Sequence, residues 1–366
     1  MSTREQNTLS RFMPRLRDIS ARGVRATAGL AIAAAYRRGL TGCFIDADNV
    51  PQWARREARR ARDEWRANCG CAWRAEEAIP ADAQGKGRGG RAANFQYAMV
   101  LDPKILQGAQ DYNNCTSWCF RAVAGCCLAV DIAARKELHA YKARPGTAGI
   151  YSWRGHASDT GMAIYLGARA IHQHGIGLEI NYPGIADLST EAKDELAGVQ
   201  WGRSGPPAAF REAVKGDRIE QTSEVTEEEA LLDILHAGHF VGTGSTITAR
   251  GAGDPISPAG SVGGHAQALI GYDDTDEFRD WYKQTTGKKL DGWVGIFDQS
   301  WHPDWITVKN WPDHLWGPKP EGAFVLRGSD VLRMLNTRYG AAIACSKVAG
   351  FPVLDLPPWQ DALNWM

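Results

Sequence analysis

The stretch Gln107-Gly-Ala-Gln-Asp-Tyr-Asn-Asn-Cys115-Thr-Ser-Trp118 leads into a long apolar run in which Arg121 and Asp131 are the only charges before Arg135. A polar, glycine-containing loop here delivers a cysteine to the start of a helix over residues 116–136. A helix apolar on most of its sides is a buried one. A thiol at its head meets unpaired backbone N–H groups and the positive end of the helix dipole. Both favour thiolate, so the Cys115 pKa is expected to fall and its sulfur to be nucleophilic near neutral pH. Cys119, one turn further in, is the alternative thiol and is expected to be buried.

Such a nucleophile needs an imidazole to take its proton and protonate the leaving group. His265, in Gly263-Gly-His-Ala-Gln-Ala-Leu-Ile-Gly-Tyr272, is expected to open an apolar strand after a glycine-rich loop. Phe297-Asp-Gln-Ser-Trp301 ends another strand with the side-chain amide of Gln299. That amide can accept a hydrogen bond from an imidazole and fix its tautomer. Asp298, its neighbour, is the alternative. Asp159 is expected to cap a helix running to His174, with Gly175 as its stop. Thr226–Glu229 reads as a capping box. Strands are expected over Phe240–Ile247, Ala266–Tyr272, Trp293–Phe297 and Ala323–Leu326. Helices first and strands later point to an α+β class.

At these residues the chain resembles the papain family of cysteine peptidases. Pro103-Lys-Ile-Leu-Gln107-Gly108 is similar to the family's Pro-x-x-x-Gln-Gly lead-in. Cys115 with Trp118 and Phe120 resembles the nucleophile segment. Asp159-Thr160-Gly161 and Gly175-Ile-Gly-Leu-Glu179-Ile-Asn-Tyr182-Pro183 resemble the substrate loop and the passage after it. Gly264-His265-Ala266 with Gly271-Tyr272 is similar to the histidine strand, and Gln299-Ser300-Trp301 to Asn-Ser-Trp. His265 follows Cys115 by 150 residues, within the ~130–150 of papain-type enzymes. The family has Cys-Gly-Ser-Cys-Trp where this chain has Cys115-Thr-Ser-Trp118-Cys119. The lead-in from Gln107 to Cys115 is two residues longer than usual, and Gln299 replaces Asn.

The resemblance implies a two-lobed papain-like fold with an N-terminal basic helical extension. Residues 96–200 would form a helical lobe carrying Cys115, and 201–366 a strand-rich, barrel-like lobe carrying His265 and Gln299. Gln107 would supply the oxyanion-hole amide, with Gln110 as the alternative. Asp159, Thr160 and Gly161 would line the cleft and bind the backbone of a peptide or protein substrate. Trp301 would shield the imidazole and its amide partner from water. No metal or organic cofactor is implied.

Composition narrows the alternatives. Lys+Arg and Asp+Glu both number 42 in 366 residues, which disfavours a protein that coats nucleic acid over its whole surface. Residues 1–40 nevertheless carry eight arginines against Glu5 and Asp18. With the basic helix Arg55–Arg66 and the Gly85–Arg91 stretch, read as a flexible linker, they set residues 1–95 apart as an extension. That extension is a solvated face, an arm for an acidic or nucleic-acid partner, or a removable pro-segment. No run approaches the ~20 apolar residues of a membrane span. Ala26–Tyr36 lacks the cleavage site of a signal peptide, so a cytoplasmic place or one within a virus particle or other large assembly is expected. The eight cysteines are then expected to be mostly reduced thiols. Cys69-Gly-Cys71 with Cys43 lacks the paired spacing of a zinc site, and His172 and His174 do not share a helix face. Two other classes of function stay open on these residues. One is a binding or structural module on the same fold, with weak or no turnover. The other is a different acyl transfer by the same Cys–His pair.

Overall fold

The computed structural model describes residues 43–46, 50–106, 108–301, 306–336, 338 and 340–362. The arginine-rich 1–40 stretch with Ala26–Tyr36, and Gln107, lie outside them. In chain order the helices used below are α1 (Gln52–Asn68), α2 (Phe95–Leu101), α3 (Cys115–Arg135), α4 (Ile164–Arg169), α5 (Glu191–Trp201), α6 (Glu228–His236), α7 (Asp276–Thr286) and α8 (Gly328–Leu335). The strands are β1 (Cys43–Phe44), β2 (Arg91–Ala92), β3 (Met162–Ala163), β4 (Asn181–Tyr182), β5 (Ala186–Asp187), β6 (Gln221–Glu224), β7 (Phe240–Ala249), β8 (Ala259–Asp273), β9 (Val294–Asp298), β10 (Phe324–Arg327) and β11 (Gly340–Ser346).

The main sheet has the order β10-β9-β8-β7-β11-β6, antiparallel throughout, with β2 added beside β8. Side chains alternate across a strand, and β8 shows it. Ala266, Ala268 and Ile270 face a core shared with α3, while Leu269 and Tyr272 face a second core shared with α6 and α8. The fold is therefore α+β, helix-rich before about residue 220 and strand-rich after it. Within the described residues the sheet is open, its outer strands β10 and β6 unpaired with each other, so the barrel-like closure expected of this half is not formed.

α3 is the central helix. Its apolar sequence is buried from Cys115 to Ala133 apart from Leu128 and Asp131, and it ends at Lys136 in the left-handed region (φ 55°), whose N–H bonds Ala133 O. It alone among the described helices has the length and hydropathy of a membrane span, but 83% of that window is buried inside the protein. It lies close on the sheet because β7 offers glycine there: a Cβ on Gly242 would crowd Phe120 and the Cys119 sulfur. α1 follows Pro51, as its basic sequence predicts, and buries the stripe Ala54, Ala58, Ala61 and Trp65. Trp65 packs on Tyr165 at 5.6 Å between ring centroids, and Arg66 pairs with Glu224.

Four local expectations differ from what is observed. Asp159 caps no helix: residues 162–163 form β3, and the helix starts at Ile164, continuing as a π-type turn over Ala170–His174 to Gly175 (φ 94°). The Thr226–Glu229 segment forms no capping box, because Thr226 turns its hydroxyl to Glu76 (3.3 Å) and α6 begins two residues on. His265 is not at a strand mouth. β8 begins at Ala259, so the Gly263-Gly264 pair is strand, and His265 sits opposite Ser245 beside a bulge in β7. The Gly85–Arg91 stretch, read as a flexible linker, is tied to the body. Gly85 and Gly87 donate to Asp233 (2.8 Å each), Gly89 to Asp274 (2.9 Å), and Arg91 to Asp273 (2.7 Å).

Candidate functional site

Cys115 is the first residue of α3, with Asn114 before it as N-cap. The backbone N–H groups of Cys115 and Thr116, at the free end of the helix, act on its sulfur, as does the N–H of Ala266 from β8. The tertiary structure thus brings the head of α3 against the residue that follows His265. These N–H groups favour thiolate, but the expected depression of the pKa does not result. Cys115 has no solvent exposure, and burial pushes its thiol well above the usual range, with the Cys43 thiol adding to the shift. Removing a charge from water outweighs the partial charges of a helix end. Cys119 is buried, as the sequence suggests, but no deeper than Cys115: it is 3% exposed, its sulfur donates to Gln267 O at 3.1 Å and its thiol is also pushed up by burial.

His265 is 1% exposed. Trp301 stacks on it, ring centroids 3.8 Å apart and planes 24° from parallel. Its Nε2 is buried without a hydrogen-bond partner, and burial lowers its pKa to about 3. No hydrogen bond between Cys115 and His265 is found among the described residues. Both are held neutral.

Gln299 does not give its amide to the Nε2 of His265. Its Oε1 accepts from Trp301 N (2.7 Å) and its Nε2 donates to Trp301 O (3.1 Å). The extra methylene that separates Gln from Asn lets the amide close on its own strand end. Asp298, the alternative, is buried with Oδ1 unpartnered and its carboxyl pushed well up by burial. Asp298, Gln299 and Ser300 line a small cavity together with Gly108, Trp118 and Cys119. That cavity lies on the Cys119 side and touches neither Cys115 nor His265.

The loop before Cys115 is tied across to this strand end. Gln110 donates its backbone N–H to Ser300 O (2.9 Å) and accepts from Ser300 Oγ (2.6 Å), while its Nε2 donates to Tyr112 O (2.9 Å). Gln110 therefore joins the nucleophile loop to the Gln299-Ser-Trp301 passage, with both its amide oxygen and its amide nitrogen hydrogen-bonded. Asp159 also serves this loop. It accepts from Asn113 N (3.1 Å) and Tyr151 Oη (2.6 Å), and its carboxyl is pushed up by burial. Thr160 contacts Ser158 Oγ (3.3 Å), and Gly161 is buried at φ 107°. Asp159 thus faces Asn113 and Tyr151, not an open cleft.

Sequence reading gave no role to Asn114 or Glu195 and weighed Cys43 only as a metal ligand with Cys69 and Cys71. Cys43 comes from β1 to sit beside Cys115, Thr116 and Cys119. Nothing near residue 43 marks that meeting. Among the described residues no three His, Cys, Asp or Glu side chains are grouped to hold a metal ion.

No family pattern and no curated protein matches the chain. Solved structures similar to it include cysteine proteases. Xylellain, a cysteine protease from Xylella fastidiosa, is 19% identical over 65% of this chain and 80% of its own, with a TM-score of 0.41. Procathepsin B S9 from Trypanosoma congolense is 13% identical over 87% of this chain and 88% of its own, TM-score 0.49. A digestive procathepsin L 3 from Tenebrio molitor is 13% identical over 88% and 98%, TM-score 0.41.

Proposed function

We propose that this protein is a papain-like cysteine-type amide hydrolase whose site is closed in this structure. The observation that supports this reading is the meeting of the α3 N-terminus and β8. Cys115, at the helix head, lies against the N–H of Ala266, next to a histidine covered by Trp301 at 3.8 Å. On opening, water or substrate would relieve the desolvation that keeps the pair neutral. The Cys115 proton would pass to His265, and the thiolate would attack the carbonyl carbon of a peptide or protein amide. The Cys115 N–H and the Gln107 amide would stabilise the oxyanion. His265 would return the proton to the leaving amine, and water activated by the same imidazole would release the acyl group. Asp159, Thr160 and Gly161 would flank the substrate, and Trp301 would keep water from the imidazole. The arginine-rich residues 1–40 would serve an acidic or nucleic-acid partner.

A second reading is a binding or structural module on this fold, within a large assembly, with little or no turnover. It is favoured by one observation: the Gln299 amide is spent on Trp301 and leaves the Nε2 of His265 without a partner. An epoxysuccinyl thiol probe, with the adduct mapped by mass spectrometry, separates the two. The hydrolase reading expects labelling at Cys115 alone, lost in His265→Ala. Slow labelling spread over several cysteines and unchanged in His265→Ala would leave the binding module.

A further inference from the structure

The loop that carries Cys115 is gathered onto one carboxylate from a distant helix. Glu195, on α5, accepts from Trp118 Nε1 at 2.7 Å and from Asn114 Nδ2 at 2.9 Å, both on Oε1. The backbone N–H of Asp111 lies 3.3 Å from each of its oxygens. The three donors bracket the nucleophile: one precedes it by four residues, one is the N-cap, and one is a turn into the helix. Glu195 is 2% exposed, so these bonds are made out of water, where a lost partner is costly.

The sequence explains why such a residue is needed. The loop between Gln107 and Cys115 is polar, and Asn114 makes no side-chain capping bond to the helix it precedes. Its amide goes to Glu195 instead. The neighbour Asp194 turns to another segment, accepting from Thr147 Oγ1 at 2.7 Å and from Ala148 N at 3.2 Å. One turn of α5 therefore holds two separate stretches of the helical half.

We infer that Glu195 is the positioning residue of the nucleophile: its carboxyl clamps residues 111–118 and thereby keeps Cys115 seated against β8. Naming Cys115 the nucleophile rests on the function proposed above; the clamp itself does not. Glu195 acts through the loop and touches neither reacting group.

The test uses the full chain and two variants at position 195. Glu195→Met removes every acceptor at similar volume, and Glu195→Gln keeps one acceptor oxygen. Hydrogen exchange read by mass spectrometry should show protection of residues 111–118 falling about tenfold in Glu195→Met and restored in Glu195→Gln, with β7 and β8 unchanged. Iodoacetamide alkylation of Cys115 should rise with it, since the seated thiol is buried. Trp118→Phe, which removes the shortest of the three bonds, should move both readings the same way and serves if Glu195→Met does not fold. Unchanged protection of 111–118 in these variants would overturn the clamp, as would a loss spread evenly over the chain that Glu195→Gln does not restore. The epoxysuccinyl labelling of the unmodified protein decides the hydrolase reading separately, because exchange and alkylation need no catalysis.

Discussion

At the scale of single residues, position 108 shows how tightly the site is built. A Cβ on Gly108 would overlap the indole of Trp118, the side chain that also bonds Glu195. Gly108→Ala should therefore cost about 1–3 kcal/mol by overpacking, read as a lower urea midpoint with unchanged slope. The thiols teach a related lesson. Cys115 and Cys119 differ by one helical turn, and both are pushed up by burial. What separates them is the number of N–H partners: those of Ala266, Thr116 and Cys115 itself act on Cys115, whereas Cys119 has that of Thr243 and also donates to the Gln267 carbonyl. N–H groups stabilise thiolate and a carbonyl does not, so on hydration Cys115 is the sulfur whose ionisation the surroundings favour.

At the scale of elements, the Gly85–Arg91 segment shows how acidic side chains can organise a stretch with no periodic pattern. Asp233, on α6, receives two of its backbone N–H groups, and Arg88 pairs with Glu228 and Glu229 on the same helix. Removing one carboxylate leaves those N–H groups to water and frees the backbone to open locally. Asp233→Ala should make Lys86 and Arg88 accessible to trypsin, seen as cleavage there while the rest of the chain stays resistant. The same comparison shows what was legible. The strands at 240–249, 294–298 and 324–327 and the long helix at 115–135 lie where apolar runs predict them, whereas β8 starts seven residues ahead of the expected 266–272 run. Strands β6 and β11 were not predicted: β6 reads Gln-Thr-Ser-Glu, and pairing with β11 and burial, not its own propensity, make it strand.

At the scale of the whole molecule, buried carboxyls contribute to the response to pH. Burial pushes Asp194 up to about 6 and Glu195 up to about 7. In the unfolded chain such groups ionise near 3.9 and 4.3. Between roughly pH 4 and 7 the folded protein thus holds protons that the unfolded chain has released. Their contribution to stability is fully present below the unfolded pKa and is lost as pH rises through the folded one, on the order of 3–4 kcal/mol at most for each. Buried neutral histidines such as His265 act in the opposite sense over the lower part of this range, so the test is a difference: between pH 5 and pH 8 the urea midpoint of Glu195→Gln, which cannot ionise, should rise relative to that of the unmodified protein. A difference that stays constant over this range would place the effect elsewhere.

The amino-acid sequence determined the order of the chemical pieces: a thiol at a helix head, a histidine on a strand, an amide and a tryptophan at the next strand end. It also determined the α+β class, because apolar periodicity and turn residues act over a few neighbours. The tertiary structure decided whether those pieces are charged or neutral, open or covered, and which distant side chains hold them. Cys115 meets Ala266, Trp118 meets Glu195 and His265 lies under Trp301. The physical reason is range. A helix end stabilises a thiolate from within one turn, whereas desolvation is set by everything packed around the sulfur, including Cys43 and β8, which arrive from far along the chain.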